Sequence, residues 1–431
     1  MIIKASGSRL SGSVKIPGSK SHTIRAAAIA GFAKGESLIR SPLLSSDTLS
    51  ALKAFEAMGV KIERGSHDVW KISGVAGSPS VPNGEIDVGN SGTTLRLAIG
   101  LAALTKGSRP VRFTGDRQIC SRPVQPLLDS LSDLGAEAVS VNSDGFPPVE
   151  IKGTLKGGRT SIECRTSQYL SSLFLCCPLA ERRSEIEVPL LYEPDYVGIT
   201  LDWLDKQNIK YSCEEDFSNV RIEGGQSYKN FDETVPADFS SASFFLCAAA
   251  LCGEDVVIEG LDYSDSQPDK AVADYLRQMG ADIEIFEDGT TAVKASSLKG
   301  IDIDMNRTPD ALPIMAVTAA LSEGTTRLYN VAQARNKETD RIKCMAEVLG
   351  KIGADIAELP DGLIIKGGSK LFSGEVSGYY DHRIIMSMAV AAIAGGIELS
   401  ISAAEAVDVT FPTFPELMSS IGGRLERIED D

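Results

Sequence analysis

Lys20, Ser21 and Arg25 stand where a short strand, residues 13–16, gives way through Pro17-Gly18 to an apolar helix over 26–32. A helix start carries unpaired N–H groups and the positive end of the helix dipole. A hydroxyl, a point charge and a guanidinium fork gathered there suit an oxyanion such as a phosphate. Alone, the same residues also describe a solvated cap. Aligned by apolar text, Ser19 falls on Asn90, Ser21 on Gly92 and Arg25 on Arg96. Packing does not ask for Arg at the same depth in two buried helices, although pairing with a carboxylate would satisfy each of them. The run Gly89-Asn90-Ser91-Gly92-Thr93 lets the backbone approach a ligand closely, or simply turns the chain. Thr166, Ser167 and Gln168 suit a polyol ring and its phosphate ester, or form a plain N-cap. Thr308-Pro309-Asp310 reads as a cap with Pro near the first helical position and a first-turn carboxylate. His382 and Arg383 stand at a helix start, where a charged Arg opposes the dipole, which implies an anionic partner. The densest cluster is Arg335-Asn336-Lys337-Glu338-Thr339-Asp340-Arg341. Read as a helix opening, it sets Lys337 and Arg341 on one face at i, i+4 and Glu338 and Arg341 at i, i+3, a spacing that also suits ion pairs on a solvated surface. Gly115-Asp116-Arg117-Gln118 with Arg122-Pro123 adds another guanidinium.

These side chains must be positioned by a chain of 431 residues, long enough for two domains, with 43% hydrophobic and 24% charged residues. Its formal charge of −16 argues against general binding to nucleic acid or anionic membranes. An anionic ligand must therefore be met by a local basic cluster. The eight cysteines form no C-x-x-C pair and there are three histidines, so neither a disulfide framework nor a zinc site is expected. The N-terminus has no apolar signal segment, and the longest uncharged run, 239–253, is too short for a membrane span. A cytoplasmic setting is expected.

The positioning elements show as self-similarity. One helix pattern ends in an apolar residue and a Gly or Asn before a strand, at Gly59, Gly135, Asn208, Gly280, Gly353 and Gly422. The intervals are 76, 73, 72, 73 and 69 residues. Gly and Asn accept the left-handed conformation at a helix C-cap. Between these lies a second helix type, apolar all round and therefore buried, and each copy opens on one of the polar clusters above. The unit is strand, buried helix, strand, half-exposed helix, strand pair. Six units of about 72 residues fill the chain. An α/β architecture of two three-unit domains is expected, residues 19–236 forming one and 1–18 with 237–431 the other. The first strands should complete the sixth unit, and the cleft between domains should face both chain crossings, near Pro17 and Pro236.

Taken together, PGSKSHTIRA, GNSGTTLR, SRPV, TSQYL, ADFSSASFF, NRTPDA, NKETDR and YYDHR resemble the 5-enolpyruvylshikimate-3-phosphate synthase family, in its order and along essentially the whole chain. KETDR with DHR is specific to that family within its superfamily. The resemblance implies a two-domain inside-out α/β barrel of six βαβαββ units, with the active site in the interdomain cleft. It implies transfer of the enolpyruvyl group of phosphoenolpyruvate to the 5-hydroxyl of shikimate 3-phosphate, through a tetrahedral ketal, without metal or cofactor. By position, Lys20, Asp310 and Glu338 are the implied catalytic groups. Shikimate 3-phosphate would be held by Lys20, Ser21, Arg25, Thr166, Ser167, Gln168, Tyr196, Asp310 and Lys337. Phosphoenolpyruvate would be held by Lys20, Asn90, Gly92, Arg122, Gln168, Arg341, His382 and Arg383. The implied partners are these two small molecules, with no nucleic acid or membrane, on a monomer.

Four positions depart from the family pattern. Cys120 stands where many members have a basic residue. Glu193 stands where a Ser often contacts the substrate phosphate, which a carboxylate would repel. Gln333 replaces a frequent Asn, and Val409 stands where some members carry a Lys for phosphoenolpyruvate. Three rival readings share parts of this pattern. The enolpyruvyl transferase acting on UDP-N-acetylglucosamine uses a Cys that would fall on Arg117 and lacks KETDR. RNA 3′-phosphate cyclase fits poorly with the acidic charge. A non-catalytic anion-binding repeat protein would tolerate loss of Lys20, Asp310 or Glu338 with a change in affinity alone.

Overall fold

Every one of the six turn positions has a positive φ: 97° at Gly59, 103° at Gly135, 55° at Asn208, 98° at Gly280, 99° at Gly353 and 97° at Gly422. Each ends a helix by a left-handed residue, which an L side chain other than Asn or Asp adopts at a cost. These turns recur through a computed structural model that describes residues 1–65 and 68–429. The chain is a mixed α/β structure that divides into two units, Gly18–Val235 and Met1–Pro17 with Pro236–Asp431.

The Gly18–Val235 unit holds helices α1 (Lys20–Phe32), α2 (Ser46–Ala57), α3 (Gly92–Ala102), α4 (Gln125–Asp133), α5 (Ser167–Cys176) and α6 (Pro194–Lys206). All eleven residues of α3 are buried, as are those of α1 from His22 onward and all of α5 except Gln168. In contrast α2 buries Thr48, Ala51, Leu52 and Phe55, a single face at helical spacing. Three four-stranded sheets accompany the helices. In one, Glu36–Arg40 runs parallel to Asp232–Thr234 and antiparallel to Val69–Ser73, which pairs in turn with Lys61–Arg64. The other two repeat that order of one parallel and two antiparallel pairings. The unit has its own core, including Phe32, Phe55, Trp70, Phe113, Phe174 and Trp203. Burying each such side chain contributes about 1.5–3 kcal/mol.

The second unit holds α7 (Phe239–Cys252), α8 (Ala271–Gln278), α9 (Leu312–Ala320), α10 (Arg341–Lys351), α11 (His382–Gly395), α12 (Val407–Thr410) and α13 (Phe414–Ser420). Here α7, α9 and α11 are the buried helices. Phe244, Phe245, Phe411 and Phe414 stack at centroid spacings of 5.8–6.0 Å in its core. Its three sheets follow the same pairing order. The two first strands part company, against the expectation that both complete the last repeat. Ile2–Ser6 lies between Glu398–Ser402 and Arg424–Ile428. Leu10–Lys15 instead runs parallel to Gly253–Glu259, the strand that follows α7. A sheet needs a parallel partner at that edge, and Asp232–Thr234, which leads into α7, is already paired with Glu36–Arg40. Among the described residues no helix is long and apolar enough to cross a membrane.

Candidate active site

In the Gly18–Val235 unit the starts of α1, α3, α5 and α6 are tied by buried cations. Ser19 caps α1 with its side chain. Lys20 Nζ lies 3.1 Å from Asp47 Oδ2 at the first turn of α2. Arg25, 2% exposed, donates from Nε to Thr200 Oγ1 at 2.7 Å, from Nη1 to Ser21 O at 3.0 Å, and from Nη2 to Ser171 Oγ at 3.3 Å and Tyr196 O at 3.4 Å. All these acceptors are neutral oxygens. Burial lowers the Arg25 guanidinium to about 10, partly offset by Tyr196. Arg96, its counterpart in α3, donates from Nη1 to Gln168 Oε1 at 2.6 Å and lies over the Tyr169 ring. Burial lowers Arg96 too; Tyr169 and Glu193 offset this, and the Arg122 charge adds to it. Gln168 Nε2 donates to Thr93 Oγ1 at 3.1 Å. A Cβ on Gly92 would stand 2.7 Å from Arg122 Nη1 and 3.0 Å from Arg96 Nη1, so only glycine leaves both guanidinium groups where they are. Arg122 is itself buried, and Tyr169 Oη donates to Pro123 O at 2.5 Å beside it. Asn90 donates to Asp116 at 2.6 Å and to Gln118, which fixes the loop ahead of α3. Thr166 caps α5. Both Thr166 and Ser167 donate their hydroxyls to Glu193, at 3.5 Å and 3.1 Å. Glu193 is 2% exposed and has a φ of 58°, a strain of about 1–3 kcal/mol held by its surroundings.

In the other unit the polar groups converge on Arg341, which is 1% exposed. Its Nε donates to Asp381 Oδ2 at 2.8 Å, its Nη1 to Asp310 Oδ1 at 2.8 Å, and its Nη2 to Asp381 Oδ1 at 3.3 Å and to Glu338. Asp310 also meets Lys337 Nζ at 3.7 Å and Arg383 Nη2 at 3.2 Å. Arg383 donates to Asp310 O at 3.2 Å and to Ser240 Oγ at 2.6 Å. Thr339 Oγ1 donates to Asp381 Oδ2 at 3.2 Å. Burial alone would push the Asp310 carboxyl up, but Arg383, Lys337 and Arg341 outweigh it and hold the group well below the usual carboxylate range. For Arg341 burial acts downward, yet Asp381, Glu338 and Asp310 raise it. The arrangement keeps Asp310 ionised within a cluster whose three cations, Lys337, Arg341 and Arg383, are matched by the carboxylates of Asp310, Glu338 and Asp381.

Local geometry differs from the sequence reading in two places. Thr308 makes no side-chain cap; its hydroxyl lies 3.2 Å from that of Tyr275, and Pro309–Ala311 forms a 3-10 turn before α9 begins at Leu312. The KETDR run is not a helix opening either. Asp340 is the N-cap, accepting from Lys343 N at 3.0 Å, so α10 starts at Arg341 and Lys337 lies outside it. Lys337 and Arg341 still meet, through Asp310 rather than along a helix face. Arg383 at its helix start meets an anion of the protein itself, Asp310. His382 is buried beside Asp381, with Nδ1 3.9 Å from Oδ1. Of the departures, Cys120 Sγ donates to Gly115 O at 3.4 Å, Gln333 Nε2 donates to Asn306 Oδ1 at 3.0 Å, and Val409 is half-buried on α12. The sequence reading assigned no part to Asp47, Asp381, Ser171, Thr200 or Ser240. Asp381 had a signal, as the residue before His382 and Arg383 at a helix start, and Ser240 lies within the ADFSSASFF run; Asp47, Ser171 and Thr200 sit in unremarkable text.

The model of the EPSP synthase (3-phosphoshikimate 1-carboxyvinyltransferase) family matches residues 4–418. A 3-phosphoshikimate 1-carboxyvinyltransferase of Ruminiclostridium cellulolyticum is 49% identical over 428 residues, 99% of this chain and 100% of that one. One from Acetivibrio thermocellus is 49% identical over the whole of both chains. A solved EPSP synthase from Acinetobacter baumannii superposes with a TM-score of 0.83 at 30% identity, covering 99% of each chain. With a family model spanning nearly the whole chain, relatives this similar along their full length, and the same fold in a solved member, the chain belongs to the EPSP synthase family.

Proposed function

We propose that this chain transfers the enolpyruvyl group of phosphoenolpyruvate to the 5-hydroxyl of shikimate 3-phosphate and releases inorganic phosphate, a step of aromatic amino-acid biosynthesis. The observation that carries the reading is Asp310, a carboxylate kept ionised by Lys337, Arg341 and Arg383. A site for two phosphorylated acids needs such a density of cations, together with groups that can take and give protons. The six four-stranded sheets and six buried helices support an inside-out barrel of six units, three per domain.

The 5-hydroxyl oxygen bonds to C2 of phosphoenolpyruvate and loses its proton to a base, while C3 gains a proton from an acid. The C2–O bond to phosphate then breaks, C3 returns a proton, and the double bond re-forms. A carboxyl held as low as Asp310 is a weak base, so its part is to accept a hydrogen bond from the 5-hydroxyl and orient it. Glu338, anchored on Arg341, is the proton carrier at C3, and Lys20, paired with Asp47, serves both substrates. Arg122, Arg341, Arg383 and His382 hold phosphoenolpyruvate, with Gly92, Asn90 and Gln168 shaping its place. Ser21, Arg25, Thr166, Ser167, Gln168, Tyr196 and Lys337 hold shikimate 3-phosphate.

The test is phosphate release with phosphoenolpyruvate and shikimate 3-phosphate, with UDP-N-acetylglucosamine as the control acceptor. Release with shikimate 3-phosphate alone among the acceptors is expected. Release only with the nucleotide sugar, or with neither, overturns the reading.

A further inference from the structure

We infer that Glu193 is a built-in competitor for the phosphate of shikimate 3-phosphate, and so sets how tightly the protein takes that substrate. The inference rests on the proposed reading that Thr166 and Ser167 meet the substrate's phosphate. Both hydroxyls donate to the same atom, Glu193 Oε2, at 3.5 Å and 3.1 Å. Glu193 is buried at the N-terminus of α6, in a left-handed conformation followed by Pro194. Its charge also acts on Arg96, whose guanidinium holds Gln168 in the first turn of α5. The carboxylate thus sits against the α5 start as an oxyanion ligand would, near a buried cation.

Each hydroxyl has one proton to donate. The terminal oxygens of a phosphate monoester dianion only accept, so a hydroxyl engaged with Glu193 cannot also donate to the phosphate. Two anions would also crowd one set of donors, which costs binding energy in a buried site. The left-handed backbone and the following proline fix where the Glu193 side chain begins, leaving rotation of the side chain as its way out. The phosphate therefore enters only by displacing the carboxylate from Thr166 and Ser167. A neutral side chain at this position no longer brings a second anion to the site: the Gln amide can turn its Nε2 to donate to the phosphate, and Ser is too short to hold both hydroxyls.

The experiment measures the Kd of shikimate 3-phosphate by calorimetry on the full chain, for wild type, Glu193→Gln and Glu193→Ser, with inorganic phosphate as a minimal probe. Thermal melts check that each variant is folded, and the isosteric Gln variant decides the matter if the Ser variant is not. Both variants are expected to bind shikimate 3-phosphate about tenfold more tightly, the ratio that one regained charge-assisted hydrogen bond supplies. Inorganic phosphate should follow in the same direction, with the KM of phosphoenolpyruvate moving far less. Unchanged or weaker binding of shikimate 3-phosphate overturns the inference, because a Glu193 that merely braces the α5 start would weaken binding when removed. Failure of the functional reading is separate: wild type itself would then neither bind shikimate 3-phosphate nor release phosphate.

Discussion

Arg341 directs one planar fork at three carboxylates, Asp310, Glu338 and Asp381. A lysine could not do this, since its ammonium is a point charge without the fixed in-plane donors. The consequence reaches Asp310, whose folded-state carboxyl lies below its unfolded value. Such a group stabilises fully above about pH 4 and loses that contribution progressively as pH falls toward the folded value. Asp310→Asn should therefore lose less stability than wild type between about pH 7 and about pH 3, read from thermal melts across that interval. Equal losses would show that Asp310 is not held ionised by its three cations. Arg25 presents the opposite case: its hydrogen bonds end on Thr200, Ser171, Ser21 and Tyr196, none of them charged. Its charge is buried without a carboxylate among those acceptors, which is why the proposed function gives it to an anionic substrate. The sequence pointed to Arg25 through its repeat in Arg96, but not to Ser171 and Thr200, which it meets in the fold.

At the scale of elements, the helix starts bring chemistry together and the helix ends set the rhythm. The starts depend on caps: Ser19, Ser91, Thr166, Asp238, Asp340 and Asp381 each accept from a backbone N–H in the first turn. Asp340 and Asp381 do so while also binding Arg335 and Arg341, so cap and cluster are one structure. That coupling is why reading KETDR as helix from Lys337 overshot: the helix begins four residues later, at Arg341. The ends are simpler. Gly280 has a φ of 98°, and a Cβ there would have only ordinary contact, 3.7 Å from Ser297 O. Gly280→Ala should therefore cost about 1–2 kcal/mol from backbone strain alone, measured by urea unfolding. A change near zero would mean that the turn relaxes to another conformation.

For the whole molecule, cations gathered at helix starts repel one another until anions bind, so the chain is expected to close up when both anionic substrates are present. The radius of gyration from small-angle scattering should fall when both substrates are added, and an identical profile with and without them would count against closure. Sequence alone determined the repeat, because buried helices must be apolar all round and a left-handed turn selects Gly or Asn; both constraints are local. It also located the cationic starts, since Lys20, Arg25, Arg96 and Arg383 stand beside visible helix boundaries. It did not determine what each cation meets. Arg341 reaches Asp310 across 31 residues, Arg383 reaches Ser240 across 143, and Arg25 reaches Thr200 across 175. Those pairings arise only when elements distant in the chain pack side by side, and no local spacing encodes them. The same packing set Glu193 against Thr166 and Ser167: the sequence raised the conflict between a carboxylate and a phosphate, and the tertiary structure decided which hydroxyls they would contest.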